Sequence, residues 1–348
     1  MTPPKSDPTI IVAARQAGSA HAFAPVIRAL SMRGYCVAPL AFEAATGAWI
    51  ADDIPYQAIT EWAEAQHILD ALESPIFLLT GTSRSPVEDE RLWDWARRHG
   101  VPSLAFVDHW VNYWERFSSS PRIRFDCLPD RIAVIDTLAA RRMVEAGCPK
   151  ECLIVTGHPG FDALVQYCGQ RDWALRQSLM PADCDGLILF VSEPHSVTYG
   201  NAIHQVLGYT EHEALDLLVQ CLQTVGRDTG QRWCVLVKPH PVESPNAWPQ
   251  RLEAYVGLSH VLCRMIQHGR VELALAADLV VGMTSLLLYE AWLCGRPVLS
   301  VQPRARMTSD LVDGHSIPVV RNDAELTSAL MTGWRDEPLS AIPSAFGG

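Results

Sequence analysis

Along most of this chain the apolar positions form short unbroken runs, each followed by a segment with helical spacing. The runs at 9–14, 35–40, 76–79, 103–107, 131–135 and 153–156 are the kind expected of strands covered on both faces. Segments 21–30, 59–72, 86–99 and 137–146 carry the helical pattern between them. Small or polar residues close several runs: RQAGSA at 15–20, TGTS at 80–83, DHW at 108–110 and GHPGFD at 157–162. Strands alternating with helices predict a parallel α/β sheet. The pattern breaks over 166–186, which reads as a linker, and a second α/β set follows. It opens with the run 187–191, ending in Ser192-Glu193-Pro194-His195. Next comes a helix whose Thr210 and Glu213 form a capping box and whose apolar face holds Leu215, Leu217, Leu218 and Leu222. A strand opens WCVLVKPHP, and a βαβ unit covers 279–301. A run at 316–320 precedes a last helix at 323–334, and the tail 339–348 reads as loose. These breaks divide the chain into an N-terminal domain, 1–170, and a C-terminal domain, 186–335.

The most informative stretch is ADLVVGMTSLLLYEAWLCGRPVLSVQP, from 277 to 303. A buried strand ends at Gly282, where the chain can turn sharply. Thr284 and Ser285 then stand where a helix begins, and hydroxyls with free N–H groups at that point make an anion site. As an isolated feature the pair could equally be plain N-caps. The KPHP turn shifts the balance, because ligands in open α/β sheets bind outside the carboxyl ends of the strands. Lys238 and His240 there can neutralise and hydrogen-bond a diphosphate.

Together the KPHP turn and the unit "ADLVVGMTS…YEAWLCGRPVLS" resemble the C-terminal half of GT-B enzymes. These include glycosyltransferases that use nucleotide-activated sugars, hydrolysing UDP-GlcNAc 2-epimerases, and bacterial CMP-sialic acid, CMP-Kdo and CDP-glycerol transferases. The resemblance implies two Rossmann-like parallel-sheet domains facing a central cleft, with the final helix returning to the first domain. It implies that His240, Thr284 and Ser285, with Lys238, hold the donor phosphates and that Glu290 bonds the nucleotide ribose. The opening AGSAHAFAPVIRAL also resembles two relatives. Aligned on Pro25-Val26-Ile27 it is similar to the first helix of the 2-epimerases. Aligned on Gly18 and His21 it is similar to the Gly-rich loop and His of the lipid II-forming N-acetylglucosaminyltransferase and of a nucleotide-sugar hydrolase whose His acts in catalysis. Ala20 stands where that loop has a second Gly. TGHPGFDAL resembles the element that closes the N-terminal domain of the 2-epimerases, which places His158 by the cleft. One departure counts against a strict 2-epimerase: Ser-Glu-Pro-His at 192–195 replaces the family's His-Arg-x-Glu-Asn.

The chemistry expected of the first domain centres on His21 and Asp108. A helix N-terminus disfavours the imidazolium, so a neutral His21 at the start of helix 21–30 could serve as general base, or it could cap that helix. VDHWVNYWERF at 107–117 lacks clean apolar periodicity and reads as a ligand-facing loop. Aromatic faces stack on sugars, so Trp110 and His109 are candidate sugar contacts, and Asp108 a base or orienting group. Glu193 is the third catalytic candidate.

Composition narrows the classes. The 348 residues are 48% hydrophobic and 19% charged, enough for two well-cored domains. A net charge of −11 argues against general nucleic-acid binding. Ten cysteines without a Cys-x-x-Cys pair read as reduced core residues of a cytoplasmic protein rather than a metal site. No apolar run has transmembrane length, and the first residues lack a secretory signal pattern. The expectation is a metal-independent glycosyltransferase of surface-glycan or polysaccharide synthesis. It would need no cofactor beyond a UDP- or CMP/CDP-type sugar donor and would act on a glycan or small-molecule acceptor, with the oligomeric state left open and a homodimer one option. The alternatives are a nucleotide-sugar hydrolase or 2-epimerase-like enzyme, and a GT-B-like protein that binds nucleotide without turnover.

Overall fold

In the computed structural model, residues 8–84, 87–240, 242–244, 246–267, 269–307, 309–315 and 317–331 are described. The chain divides into two compact units, one through Ala163 and one from Leu164. The expected leader, the expected tail, positions 332–334 of the expected last helix, Pro86 and Ser316 lie outside the described residues.

The first unit is built on strands β1 (Thr9–Ala14), β2 (Cys36–Phe42), β3 (Gln57–Ile59), β4 (Pro75–Thr80), β5 (Ser103–Val107), β6 (Arg131–Val134) and β7 (Leu153–Val155). They lie in the order β3-β2-β1-β4-β5-β6-β7, every pair parallel. β1 is buried at all six positions, as a strand with helices on both faces must be. The second unit repeats the arrangement with β8 (Gly186–Val191), β9 (Trp233–Lys238), β10 (Val261–Met265), β11 (Leu279–Gly282), β12 (Val298–Val301) and β13 (Val319–Val320), in the parallel order β10-β9-β8-β11-β12-β13. Each sheet therefore reverses direction beside its first strand, between β1 and β4 and between β8 and β11. These are the topological switch points of doubly wound sheets.

Several boundaries differ from expectation. The first helix runs Ala17–Met32, so most of the expected 15–20 loop is helix. The expected helix at 59–72 splits into β3 and helix Trp62–Asp70, and helix Ala44–Ala51 lies before it. The stretch 166–186 is tied into the second unit. Arg176 of helix Trp173–Leu179 grips Asp278 through two bonds, Nε to Oδ1 at 2.9 Å and Nη2 to Oδ2 at 2.8 Å. The capping box at Thr210 and Glu213 forms as expected and starts helix Glu211–Thr229. Leu326 and Leu330 of the last described helix, Asp323–Met331, join the core that includes Leu215, Leu218 and Leu222 of that helix. Its apolar face is thus spent within the second unit.

Candidate functional site

In the second unit, polar residues gather where β8, β9 and β11 end. β11 closes at Gly282, and Ser285 caps the following helix, Leu286–Leu293, its Oγ accepting the Leu287 N–H at 3.2 Å. Thr284, one residue earlier, is held by Glu193 from the end of β8. Oε2 of Glu193 accepts the Thr284 N–H at 2.6 Å, and Oε1 accepts the Thr284 hydroxyl at 2.8 Å. This link spans the switch point between β8 and β11. His195 lies 3.4 Å from the same carboxylate through Nε2. Burial works against the Glu193 charge, but His195 and the Thr284 donors outweigh it and hold the carboxyl below its usual range. His195 is likewise opposed by burial, yet its carboxylate neighbours, Glu193 foremost, raise it. Each partner thus favours the charged form of the other.

β9 lies next to β8 and delivers the KPHP turn to the same edge, with Val191 opposite Lys238. Lys238 and His240 are half-buried. Desolvation lowers both, Lys238 further through Arg270 nearby. A neutral His240 uses Nδ1 to accept the Val242 N–H at 3.2 Å, which leaves Nε2 as its N–H donor. Burial favours the neutral imidazole, so His240 would act as a hydrogen-bond donor, and the charge at this turn is that of Lys238. Pro241 of the motif lies outside the described residues. The turn is braced by Glu243, whose Oε2 accepts the His240 N–H at 2.6 Å. Its Oε1 accepts from Ser192 Oγ at 3.0 Å and Trp248 Nε1 at 3.1 Å. Glu243 was not anticipated; its place three residues after His240 was the available signal. Glu290 is buried, with Oε1 on Arg270 at 2.7 Å and Oε2 buried without a hydrogen-bond partner among the described residues. Burial raises its pKa.

The carboxyl ends of β1, β4 and β5 form the corresponding edge of the first unit. Arg15, just after β1, donates to Ser83 Oγ beyond β4 at 3.0 Å and pairs with Glu43 at 2.7 Å and Glu88 at 3.0 Å. Asp108, after β5, pairs with buried Arg116 at 3.0 Å, which also donates to Thr82 Oγ1 at 2.8 Å. Gly18 belongs to this cluster because a Cβ there would stand 2.6 Å from Asp108 Oδ2.

Three expectations need correction. His21 sits in the second turn of its helix rather than at the N-terminus, so the dipole argument fails. Its Nδ1 instead meets Asp52 Oδ2 at 2.7 Å. Trp110 is 1% exposed and its Nε1 donates to Asp136 at 2.8 Å, so the indole is core and offers no face to a sugar. Its half-buried neighbour His109 meets it edge-on. His158 is also buried. It stacks on Phe161 with ring centroids 3.9 Å apart and caps helix Pro159–Asp162 by accepting the Gly160 N–H at 3.1 Å.

Two Rossmann-like parallel sheets in sequence define a GT-B fold, and solved structures bear this out. The UDP-GlcNAc 2-epimerase from Neisseria meningitidis bound to UDP-GlcNAc matches 97% of this chain and 97% of its own at TM-score 0.66 and 13% identity. MnaA of S. aureus with UDP matches 94% of this chain and 88% of its own at TM-score 0.64 and 14% identity. HepE of Anabaena with UDP and glucose matches 94% and 90% at TM-score 0.62 and 17% identity. No protein-family model matches the chain, and no curated protein matches it in sequence. Among the described residues, no helix is long and apolar enough to cross a membrane.

Proposed function

We propose that the chain is a GT-B enzyme that takes a UDP-activated sugar on its second unit and transfers the sugar to an acceptor hydroxyl, in glycan or polysaccharide assembly. The observation that carries this reading is the gathering of Lys238, His240, Thr284 and Ser285 at the β8/β11 switch point, where doubly wound sheets take their ligands. In this reading Lys238 supplies positive charge to the diphosphate, neutral His240 donates a hydrogen bond, and the helix that starts after Ser285 contributes its dipole. These groups would stabilise the nucleoside diphosphate as it leaves. Glu290, with an unsatisfied buried oxygen, would accept from a ribose hydroxyl. In the first unit, Asp108 and His21, each already oriented by a partner, are the candidate bases, with Gly18 and His109 towards the acceptor.

A second reading is hydrolysis or 2-epimerisation of the same donor. Likeness along nearly the full length to the N. meningitidis 2-epimerase favours it. Isothermal titration with UDP, CDP, CMP and GDP tests the shared part, and saturable binding of none of them would refute it. Turnover of UDP-GlcNAc in deuterated water separates the rest. Epimerisation breaks the C2–H bond and exchanges deuterium into it. Transfer and hydrolysis release UDP with that hydrogen retained, and only transfer needs an acceptor. Binding without any of these products would leave a nucleotide-binding protein.

A further inference from the structure

Two of the donors that a phosphate would use at the β8/β11 switch point are already taken. Both Thr284 donors, the backbone N–H and the hydroxyl, point to Glu193 at 2.6 and 2.8 Å. The carboxylate is well enclosed, its side chain 15% exposed, and thus occupies the position of a bound anion. A diphosphate and a carboxylate cannot share two hydrogens, and in a desolvated site their charges repel. The same carboxylate has a second place to go. His195 is already 3.4 Å away through Nε2. The Nε2 contact is long for a hydrogen bond to a carboxylate, so this ring gains from drawing the carboxylate closer.

We propose that Glu193 is a resident competitor for the donor phosphate, which must leave Thr284 for His195 before the nucleotide can seat. This proposal rests on the nucleotide reading of the site. It makes Glu193 a specificity-determining residue. The site is closed to weakly held anions such as free inorganic phosphate or sulfate. It opens to a nucleoside diphosphate, whose remaining contacts compensate for displacing the carboxylate.

The test compares wild type with Glu193→Gln, which keeps the shape and removes the charge, and Glu193→Ala, which vacates the position. Affinities for UDP, inorganic pyrophosphate and uridine are measured by isothermal titration, with folding of each variant confirmed by circular dichroism. The expected result is at least tenfold tighter UDP and pyrophosphate binding in both variants, with uridine unchanged. Unchanged or weaker UDP binding in folded variants overturns the proposal, since Glu193 then only braces the loop, while the nucleotide reading stands. If neither variant folds, pyrophosphate binding by wild type decides. Pyrophosphate binding as tight as UDP would show that no resident anion has to be displaced. Pyrophosphate binding at least tenfold weaker than UDP is the expected outcome. Absence of UDP binding in wild type and variants alike removes both the proposal and the reading beneath it.

Discussion

Replacing Trp110 separates a sugar-stacking residue from a core residue. Trp110 is 1% exposed, and its indole donates to Asp136 Oδ2 at 2.8 Å. The other Asp136 oxygen accepts the Ala139 N–H at 2.7 Å and caps helix Thr137–Ala146. Truncation to Ala therefore leaves a cavity, costing about 3–5 kcal/mol for a buried Trp. The Trp110→Phe change keeps most of the burial and loses the bond to Asp136, a cost of about 1–3 kcal/mol. In a domain of this size each kcal/mol moves Tm by about 2–4 °C, so the Ala variant should melt roughly 6–20 °C below wild type and the Phe variant much closer to it. Scanning calorimetry reads this directly, and sugar-nucleotide affinity is measured on the same samples below their transitions. The reasoning is refuted if Trp110→Ala melts with wild type while losing affinity for the sugar. That pattern belongs to an exposed stacking ring.

Three further outcomes follow from the two site edges. Gly18→Ala places a methyl 2.6 Å from Asp108 Oδ2 and must push the carboxylate off Arg116; turnover should fall at least tenfold with a stability loss of about 1–3 kcal/mol, and unaltered kinetics would detach Asp108 from the chemistry. His240→Ala should weaken UDP about tenfold through one lost hydrogen bond, whereas Ser285→Ala should also cost about 0.5–2 kcal/mol of stability as a lost cap; titration and denaturant melts check the two. Burial raises the Asp89 pKa from 3.8 to about 6 despite the Ser83 donors. A carboxyl with a raised folded-state pKa contributes stability below pH 3.8 that is lost as pH climbs through 6, so wild type should lose about 3 kcal/mol relative to Asp89→Asn between those values; urea melts with no difference in slope across that window would refute it.

The sequence patterns carried much of this architecture. β1, β8 and β9 are unbroken apolar runs because both of their faces are covered, and such runs read as strands without ambiguity. The capping box at Thr210 was equally plain, because both of its bonds are local. β3 and β10 were not legible. β3 is three residues long, and β10 carries an exposed Arg264 and three partly buried positions that blur the pattern. The start of the first helix was misplaced because small residues with little helical pattern fill its first turn. At the site, residue types at strand ends were readable but their partners were not. Nothing near His21 in sequence announces Asp52, 31 positions away, and nothing near Glu193 announces Thr284, 91 positions away. The same distance hides the role of Trp110: its partner Asp136 lies 26 residues on, and a loop without apolar periodicity gives no local sign of burial.

The two sheets share a strand order, yet their switch points are wired with opposite signs. In the first unit a cation, Arg15, bridges β1 to the Ser83 loop, and Glu43 and Glu88 already satisfy its charge. In the second an anion, Glu193, bridges β8 to Thr284, with Lys238 and the helix after Ser285 at the same edge. An incoming phosphate at the first edge would meet the start of helix Ala17–Met32 but would have to strip two carboxylates from Arg15. At the second it exchanges places with one carboxylate and meets Lys238, the His240 N–H and a helix terminus. The same topology thus offers two possible ligand crevices, and the charges around them favour the second for the nucleotide. That leaves the first edge, where Asp108 is locked by Arg116 and packed against Gly18, as a preorganised polar surface suited to orienting a neutral hydroxyl.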